Sequence, residues 1–130
     1  MRTPDFETDG WSLDDGEELH RDAPTTFWIP PLADRQALKK GDLAKLVFRI
    51  AVDNDDDPVT VERMWVIVTE CWSGGYIGIL DNEPDAITEN GDFWLGAELP
   101  FEYRHIINIH KGTEQSKALA DAPPSIPWRR

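Results

Sequence analysis

The sequence has little of three things that would place it in a specialised class: cysteine, long apolar runs and positive charge. Only Cys71 is present among the 130 residues, so no disulfide can form within the chain, which argues against a disulfide-stapled secreted scaffold. No segment approaches the ~20 apolar residues of a membrane-spanning helix, and the acidic stretch from Met1 to His20 is unlike a signal peptide. We therefore expect a cytoplasmic protein that does not associate with membranes.

Basic residues are scarce, since 13 Lys and Arg stand against 25 Asp and Glu and the formal net charge is −12. Nucleic-acid binding depends on cations that neutralise phosphates. The only adjacent basic pairs are Lys39-Lys40 and Arg129-Arg130, so we expect no nucleic-acid partner, and anionic membranes are disfavoured for the same reason. The charge permits a basic protein partner, although solubility alone would also explain it.

Metal ligands are few and scattered. The three histidines, His20, His105 and His110, show none of the short His and Cys spacings of zinc sites. The acidic turn from Asp53 to Pro58 has Pro58 at the place where a calcium-binding EF-hand loop needs glycine. We interpret it as a solvated turn and expect no metal and no cofactor.

Cys71 is the one candidate nucleophile, with His105 or His110 as its base. No Lys or Arg adjoins it in the sequence, so nothing nearby would lower the pKa of the thiol. We favour the interpretation that Cys71 is a small buried hydrophobic residue.

The chain does have ample material for a core, and its length suits one domain. From Leu43 onward apolar and polar residues alternate, which is the period of a half-buried strand. The predicted inward residues are Ala44, Leu46, Phe48, Ile50 and Val52. A longer, mostly apolar strand from Val61 to Cys71 follows, and Ser73-Gly74-Gly75 predicts a hairpin because glycine reaches positive φ easily. The returning strand is Tyr76 to Leu80.

Further elements complete the prediction: a helix from Pro31 to about Leu38, a strand from Phe93 to about Leu99 interrupted by Pro100, and a last strand from Arg104 to Ile109. This pattern predicts a mainly β (α+β) fold, a small, strongly curved antiparallel sheet or partly open barrel with one short helix. We divide the chain into an acidic, loosely ordered arm over residues 1–22, a single β-rich domain over 23–110 and a Pro-rich C-terminal tail over 111–130.

No residues form an evident catalytic set, so we expect the functional site to be a binding surface. Aromatic side chains anchor many interfaces, and the candidate ligand- or partner-binding residues are Trp72, Tyr76, Asp81, Asn82, Trp94 and His105. The alternative is a small-ligand or hydrolytic pocket in which acid–base chemistry is performed by Glu62, Asp81, Asn82 and His105. This alternative requires those side chains to lie close together.

A series of short motifs resembles a known bacterial group. The motifs are Thr26-Phe27-Trp28-Ile29-Pro30, Leu38-x-x-Gly41-Asp42-Leu43-x-Lys45-Leu46-x-Phe48, Glu62-Arg63-Met64-Trp65-Val66-x-Val68-Thr69, Gly78-x-Leu80-Asp81-Asn82-x-Pro84, Gly91-Asp92 and His105-Ile106-Ile107. In this order they are similar to small domains of unknown function that are close in pattern to the YegJ-like domains and to predicted toxin-immunity proteins. The stretch from Phe93 to Ala97 and the Pro-rich tail depart from that pattern.

The resemblance implies a small β-rich fold without established catalytic residues. The lack of a nucleophile–base pair, the acidic composition and the aromatic residues together predict a noncatalytic protein-interaction module, and immunity-like binding of a basic partner is one version of that role.

Overall fold

The computed structural model of the protein describes residues 1–81 and 95–129. In these ranges the chain forms six β-strands, four short α-helices and one 3₁₀ turn. In chain order they are α1 Phe6–Asp9, β1 Trp11–Leu13, α2 Gly16–Asp22, α3 Leu32–Arg35, β2 Leu43–Ala51, β3 Val59–Trp72, β4 Gly75–Leu80, β5 Glu98–Glu102, the 3₁₀ turn Tyr103–His105, β6 Ile106–His110 and α4 Glu114–Asp121.

The six strands form one antiparallel sheet that curves into a half-barrel. The strand order is β1-β2-β3-β4-β5, and β6 also pairs with β2. Because the whole of β2 is paired with β3 along one edge, β1 and β6 must share the opposite edge of β2, at Phe48–Ile50 and Leu43–Leu46 respectively. The mainly β, strongly curved antiparallel sheet predicted from the sequence is confirmed, with more short helices than the single one expected.

Alternate residues of the strands line the inner face of the half-barrel and form the main core. Leu46, Phe48, Ile50 and Val66 are at most 1% exposed, as the alternation from Leu43 predicted. The other strands add Tyr76, Leu80, Leu99, Phe101 and Ile106 to the same cluster. On the outer face, α4 contributes to a smaller cluster of Ile67, Ile79 and Ala120.

The β3–β4 hairpin occurs at the predicted glycines, but for a different physical reason. Its two-residue turn is Ser73-Gly74, and neither Gly74 nor Gly75 has a positive φ. A Cβ at Gly75 would overlap the carbonyl oxygen of Phe101 on β5, and a Cβ at Gly78 would lie 2.5 Å from the carbonyl oxygen of Ile67 on β3. The glycines of β4 therefore permit close approach of the neighbouring strands.

The terminal segments differ from their predicted description. Trp11–Leu13, inside the expected loosely ordered arm, pairs with β2 as β1, and Trp11 is buried. The tail begins with α4, whose N-cap Thr113 forms a capping box with Ser116. Both termini thus contribute regular structure to the domain.

Pro100 does not interrupt a strand as expected, because it lies inside β5 opposite Ile77 of β4. β5 ends the main strand order, and a missing N–H is tolerated on an edge strand, where it can face away from the ladder. The predicted start of this strand at Phe93 lies outside the described residues.

A buried polar network attaches the segment around α3 to the half-barrel. The Tyr76 hydroxyl donates to the Arg35 carbonyl oxygen at 2.7 Å and accepts from the Leu38 N–H at 3.1 Å. Burial raises the pKa of Tyr76, so the hydroxyl keeps its proton. The buried Arg35 guanidinium donates to three separate segments: the carbonyl oxygens of Pro30 and Tyr103 at 2.9 Å and the Glu17 carboxylate at 2.8 Å.

Replacing Tyr76 by Phe should lower the free energy of unfolding by about 1–3 kcal/mol, because two buried backbone groups lose their partner. Urea denaturation followed by tryptophan fluorescence measures this loss. Tyr103→Phe is the matched control, since the Tyr103 hydroxyl makes no hydrogen bond recorded among the described residues. Equal losses in the two variants would contradict the role assigned to the Tyr76 hydroxyl.

Candidate protein-interaction site

A cleft of about 570 Å³ lies where the edge strands β1 and β5 approach each other, and we call it the seam. Three parts of the chain supply its walls: the N-terminal segment with α1, the beginning of β5, and the tail after α4. Among the residues that line it are Arg2, Asp9, Trp11, Glu98, Ile126 and Trp128.

Trp128 connects the two edge strands across the seam. Its ring packs edge-on against Trp11 of β1, with 5.9 Å between ring centroids. Its backbone N–H donates to Oε1 of Glu98 on β5 at 3.0 Å, and its indole N–H donates to the carbonyl oxygen of Arg2 at 3.2 Å. Since β1 and β5 are not paired with each other in the described sheet, Trp128 links them through its side chain and backbone.

Arg2 shows which chemical group the seam can hold. Its guanidinium lies 4.1 Å from the centre of the Trp128 ring. It donates from Nη1 to the Asp9 carboxylate at 2.9 Å and from Nε to the Arg129 carbonyl oxygen at 2.9 Å. An aromatic face, a carboxylate and a carbonyl oxygen therefore surround one guanidinium, which is an arrangement suited to arginine.

A backbone hydrogen bond links the end of α1 to the end of β2, and each of these elements belongs to or leads into an acidic segment. The Ala51 N–H donates to the Gly10 carbonyl oxygen at 2.8 Å, which brings the turn after β2 next to α1. Asn54 accepts backbone N–H groups of this turn through its side-chain oxygen, and the four aspartates of the turn are exposed. We define the acidic end as Asp5, Glu7, Asp9, Asp53, Asp55, Asp56 and Asp57.

Two of the predicted binding residues are buried. Tyr76 is 1% exposed and its hydroxyl bonds within the core. His105 is 3% exposed, and its Nδ1 accepts the Glu102 N–H at 2.9 Å at the 3₁₀ turn. These side chains hold the fold together and do not present a surface to a partner.

The other predicted residues lie in different places. Trp72 is partly buried against the hairpin, where its indole N–H donates to the Tyr76 carbonyl oxygen at 3.0 Å. Asp81 lines a second cleft of about 250 Å³, formed with His110 and residues of α4. Asn82 and Trp94 lie outside the described residues, so their predicted role stays a prediction.

The structure does not bring Asp81 and His105 together. Asp81 follows the last residue of β4, whereas Glu102, which donates to His105, pairs with Gly75 at the other end of that strand. Six residues along a strand correspond to roughly 20 Å. Glu62 is partly buried and pairs with Phe48, so the strand register does not group these residues into an acid–base pocket.

Cys71 is exposed, which corrects the prediction of a buried residue. It lies near the end of β3, where that strand extends beyond its pairing with β2, and its thiol contacts the Leu38 carbonyl oxygen at 3.8 Å. Within residues 1–81 and 95–129, no three His, Cys, Asp or Glu side chains are arranged to hold a metal ion. No helix of the same ranges has the length and apolar character to cross a membrane.

Comparisons with protein-family models, curated proteins and solved structures find no match. The interpretation of the seam therefore depends on its own geometry. Sequence reasoning missed Trp11, Glu98 and Trp128 as residues of this site. The available signal was a tryptophan in each polar terminal segment, because such a large apolar ring needs a place to be buried.

The burial of His105 in the fold can be tested through the pH dependence of stability. Burial, assisted by the positive charge of Arg104, lowers the pKa of His105 from 6.5 to about 4. The unfolded chain therefore binds a proton at His105 near pH 6.5, while the folded chain does not until about pH 4. Proton binding at His105 therefore leaves the free energy of unfolding unchanged above pH 6.5 and lowers it as the pH falls towards 4.

Urea denaturation at several pH values should show His105 contributing a loss of about 3 kcal/mol across that window. His105→Asn keeps a side-chain oxygen that can accept the Glu102 N–H but has no titrating group. Its unfolding free energy should therefore fall less steeply between pH 6.5 and 4 than that of the wild type. Identical slopes in the two proteins would show that His105 does not titrate as described.

Proposed function

We propose that this protein is a noncatalytic protein-interaction module that binds a basic partner at the acidic end and the adjoining seam. The observation that carries this proposal is the backbone hydrogen bond from Ala51 to Gly10, which links the acidic helix α1 to the strand that leads into the acidic turn at residues 53–57. Among the ion pairs of the described residues, only Asp9 in this group has a cationic partner, Arg2.

The electrostatics of this surface favour a cationic ligand. The seven carboxylates of the acidic end carry charge of the same sign, and a basic surface that docks there offsets their mutual repulsion. The net charge of −12 extends the attraction beyond the contact itself and speeds association at low salt. The neighbouring Trp128 of the seam, which is only partly buried, supplies the aromatic contact that charged patches lack. Immunity-like covering of a basic toxin surface is one form of this function.

Affinity capture from a cell lysate tests the proposal. The protein is attached to beads through Cys71, which is exposed and lies at the opposite end of the β4–β5 pair from Glu98. We expect capture of a basic protein at about 50 mM salt and much less at about 500 mM, where charges are screened beyond a few ångströms. The variant Asp55→Asn/Asp56→Asn/Asp57→Asn should capture roughly tenfold less of that protein.

The matched control changes the net charge equally but elsewhere. Asp22→Asn/Asp34→Asn/Glu114→Gln alters exposed carboxylates on or beside α2, α3 and α4, and it should retain most of the capture. Equal loss of capture in both variants would show that capture depends on the overall charge and not on the acidic end. Absence of any salt-sensitive basic protein from the wild-type beads would also contradict the proposal.

A further inference from the structure

We infer that the surface now covered by the tail, between Trp11 and the start of β5, is a peptide-acceptor groove for an extended basic segment of the partner, and that the tail, which forms one wall of the seam, occupies this groove as an internal substitute. This inference rests on the proposed function and names the part of the partner that docks. The segment added to β5 is residues 125–128, and we call it the strap.

The strap is held by the backbone of residues 96–98, at and just before the start of β5, through contacts of the kind that an added strand makes. Ile126 forms a parallel bridge with Ala97, and its carbonyl oxygen accepts the Glu98 N–H at 2.9 Å. The Ser125 N–H donates to the Gly96 carbonyl oxygen at 3.0 Å. Contacts of this kind do not depend on side-chain identity, so another extended chain can make them.

Trp128 supplies the side-chain specificity of the strap. Its ring packs on the buried Trp11, and the backbone N–H of Trp128 is bonded to Glu98. The residues that follow it are Arg129 and Arg130 in the sequence, and Arg129 lines the seam close to the acidic end. The strap therefore presents an aromatic anchor followed by positive charge, which is the chemistry expected of a basic partner segment.

Residues 125–127 of the strap are the part that can open most easily. Ser125, Ile126 and Pro127 are exposed, and the prolines at 123, 124 and 127 have no N–H to donate. Few buried contacts and solvent-exposed backbone hydrogen bonds are typical of segments that open at low free energy. Opening would uncover the edge of β5, which can pair with a new strand. It would also uncover the ring of Trp11, on which an aromatic side chain of that strand can pack.

The groove therefore selects an extended segment with an aromatic side chain followed by arginine, running parallel to β5. The tail competes with this segment from within the same chain. A tethered competitor has an effective concentration of ~1 mM, so a partner segment binds measurably only if it makes better contacts or if the strap is weakened.

The experiment uses the full-length protein and a fluorescent peptide with the sequence of residues 121–130. Fluorescence anisotropy is measured with the wild type, Trp128→Ala and Ser125→Pro. The last variant removes one N–H donor and the hydroxyl bond to Leu95 at an exposed position, so the inference can still be tested if Trp128→Ala fails to fold. Both variants should bind the peptide about tenfold or more tightly than the wild type, because their own strap competes less well.

Two control peptides separate specific binding from charge attraction. A peptide with the Trp replaced by Ala should bind at least about tenfold less tightly, since it lacks the aromatic anchor. A scrambled peptide of identical composition should not perturb the amide signals of Gly96 and Glu98 in NMR spectra. Equal binding of the scrambled peptide, or no binding to a folded variant, would overturn the inference.

The outcome is independent of the test of the proposed function. Salt-sensitive capture by the acidic end together with no peptide binding would retain the basic partner and reject the groove. Peptide binding to the strap variants without any captured basic protein would retain the groove as a self-recognising site and reject the proposed function.

Discussion

A sheet that curves without closing has to satisfy the backbone groups of its two edges, and this requirement explains much of the molecule. One edge of β2 is divided between β1 and β6, which lie end to end along it. At the other side of the sheet, β5 contains Pro100 and receives part of the C-terminal tail. Unpaired edges invite association with other chains, so short strands, a proline and the tail together protect this half-barrel.

The strands and the inner face were predictable because their signal is local. Alternation from Leu43 identified the inward residues of β2, and the glycines after Trp72 located the hairpin. What local sequence could not show was why those glycines are needed, since the close approach to Phe101 involves a strand about a fifth of the chain away. Periodicity identifies a strand and its buried face, but it does not identify the neighbouring strand.

The candidate site was much less predictable, for two physical reasons. Polar residues near turns look like functional groups, yet Tyr76 and His105 complete hydrogen bonds that burial would otherwise leave unsatisfied. The seam depends on contacts between residues more than a hundred positions apart, as in the bond between Trp128 and Arg2. Nothing in either terminal segment alone specifies that contact. The sequence shows only one isolated tryptophan in each segment and does not indicate its partner.

The contact between Arg2 and Trp128 brings the N-terminal and C-terminal segments together beside the seam. A polypeptide that continued before residue 2 or after residue 129 would emerge beside the seam. A fused reporter at either terminus would shield the groove, whereas joining the two ends by a short linker and reopening the chain at the Ser73-Gly74 turn would move the new termini to the far end of the β4–β5 pair. Circular permutation is thus the natural way to present this surface unobstructed.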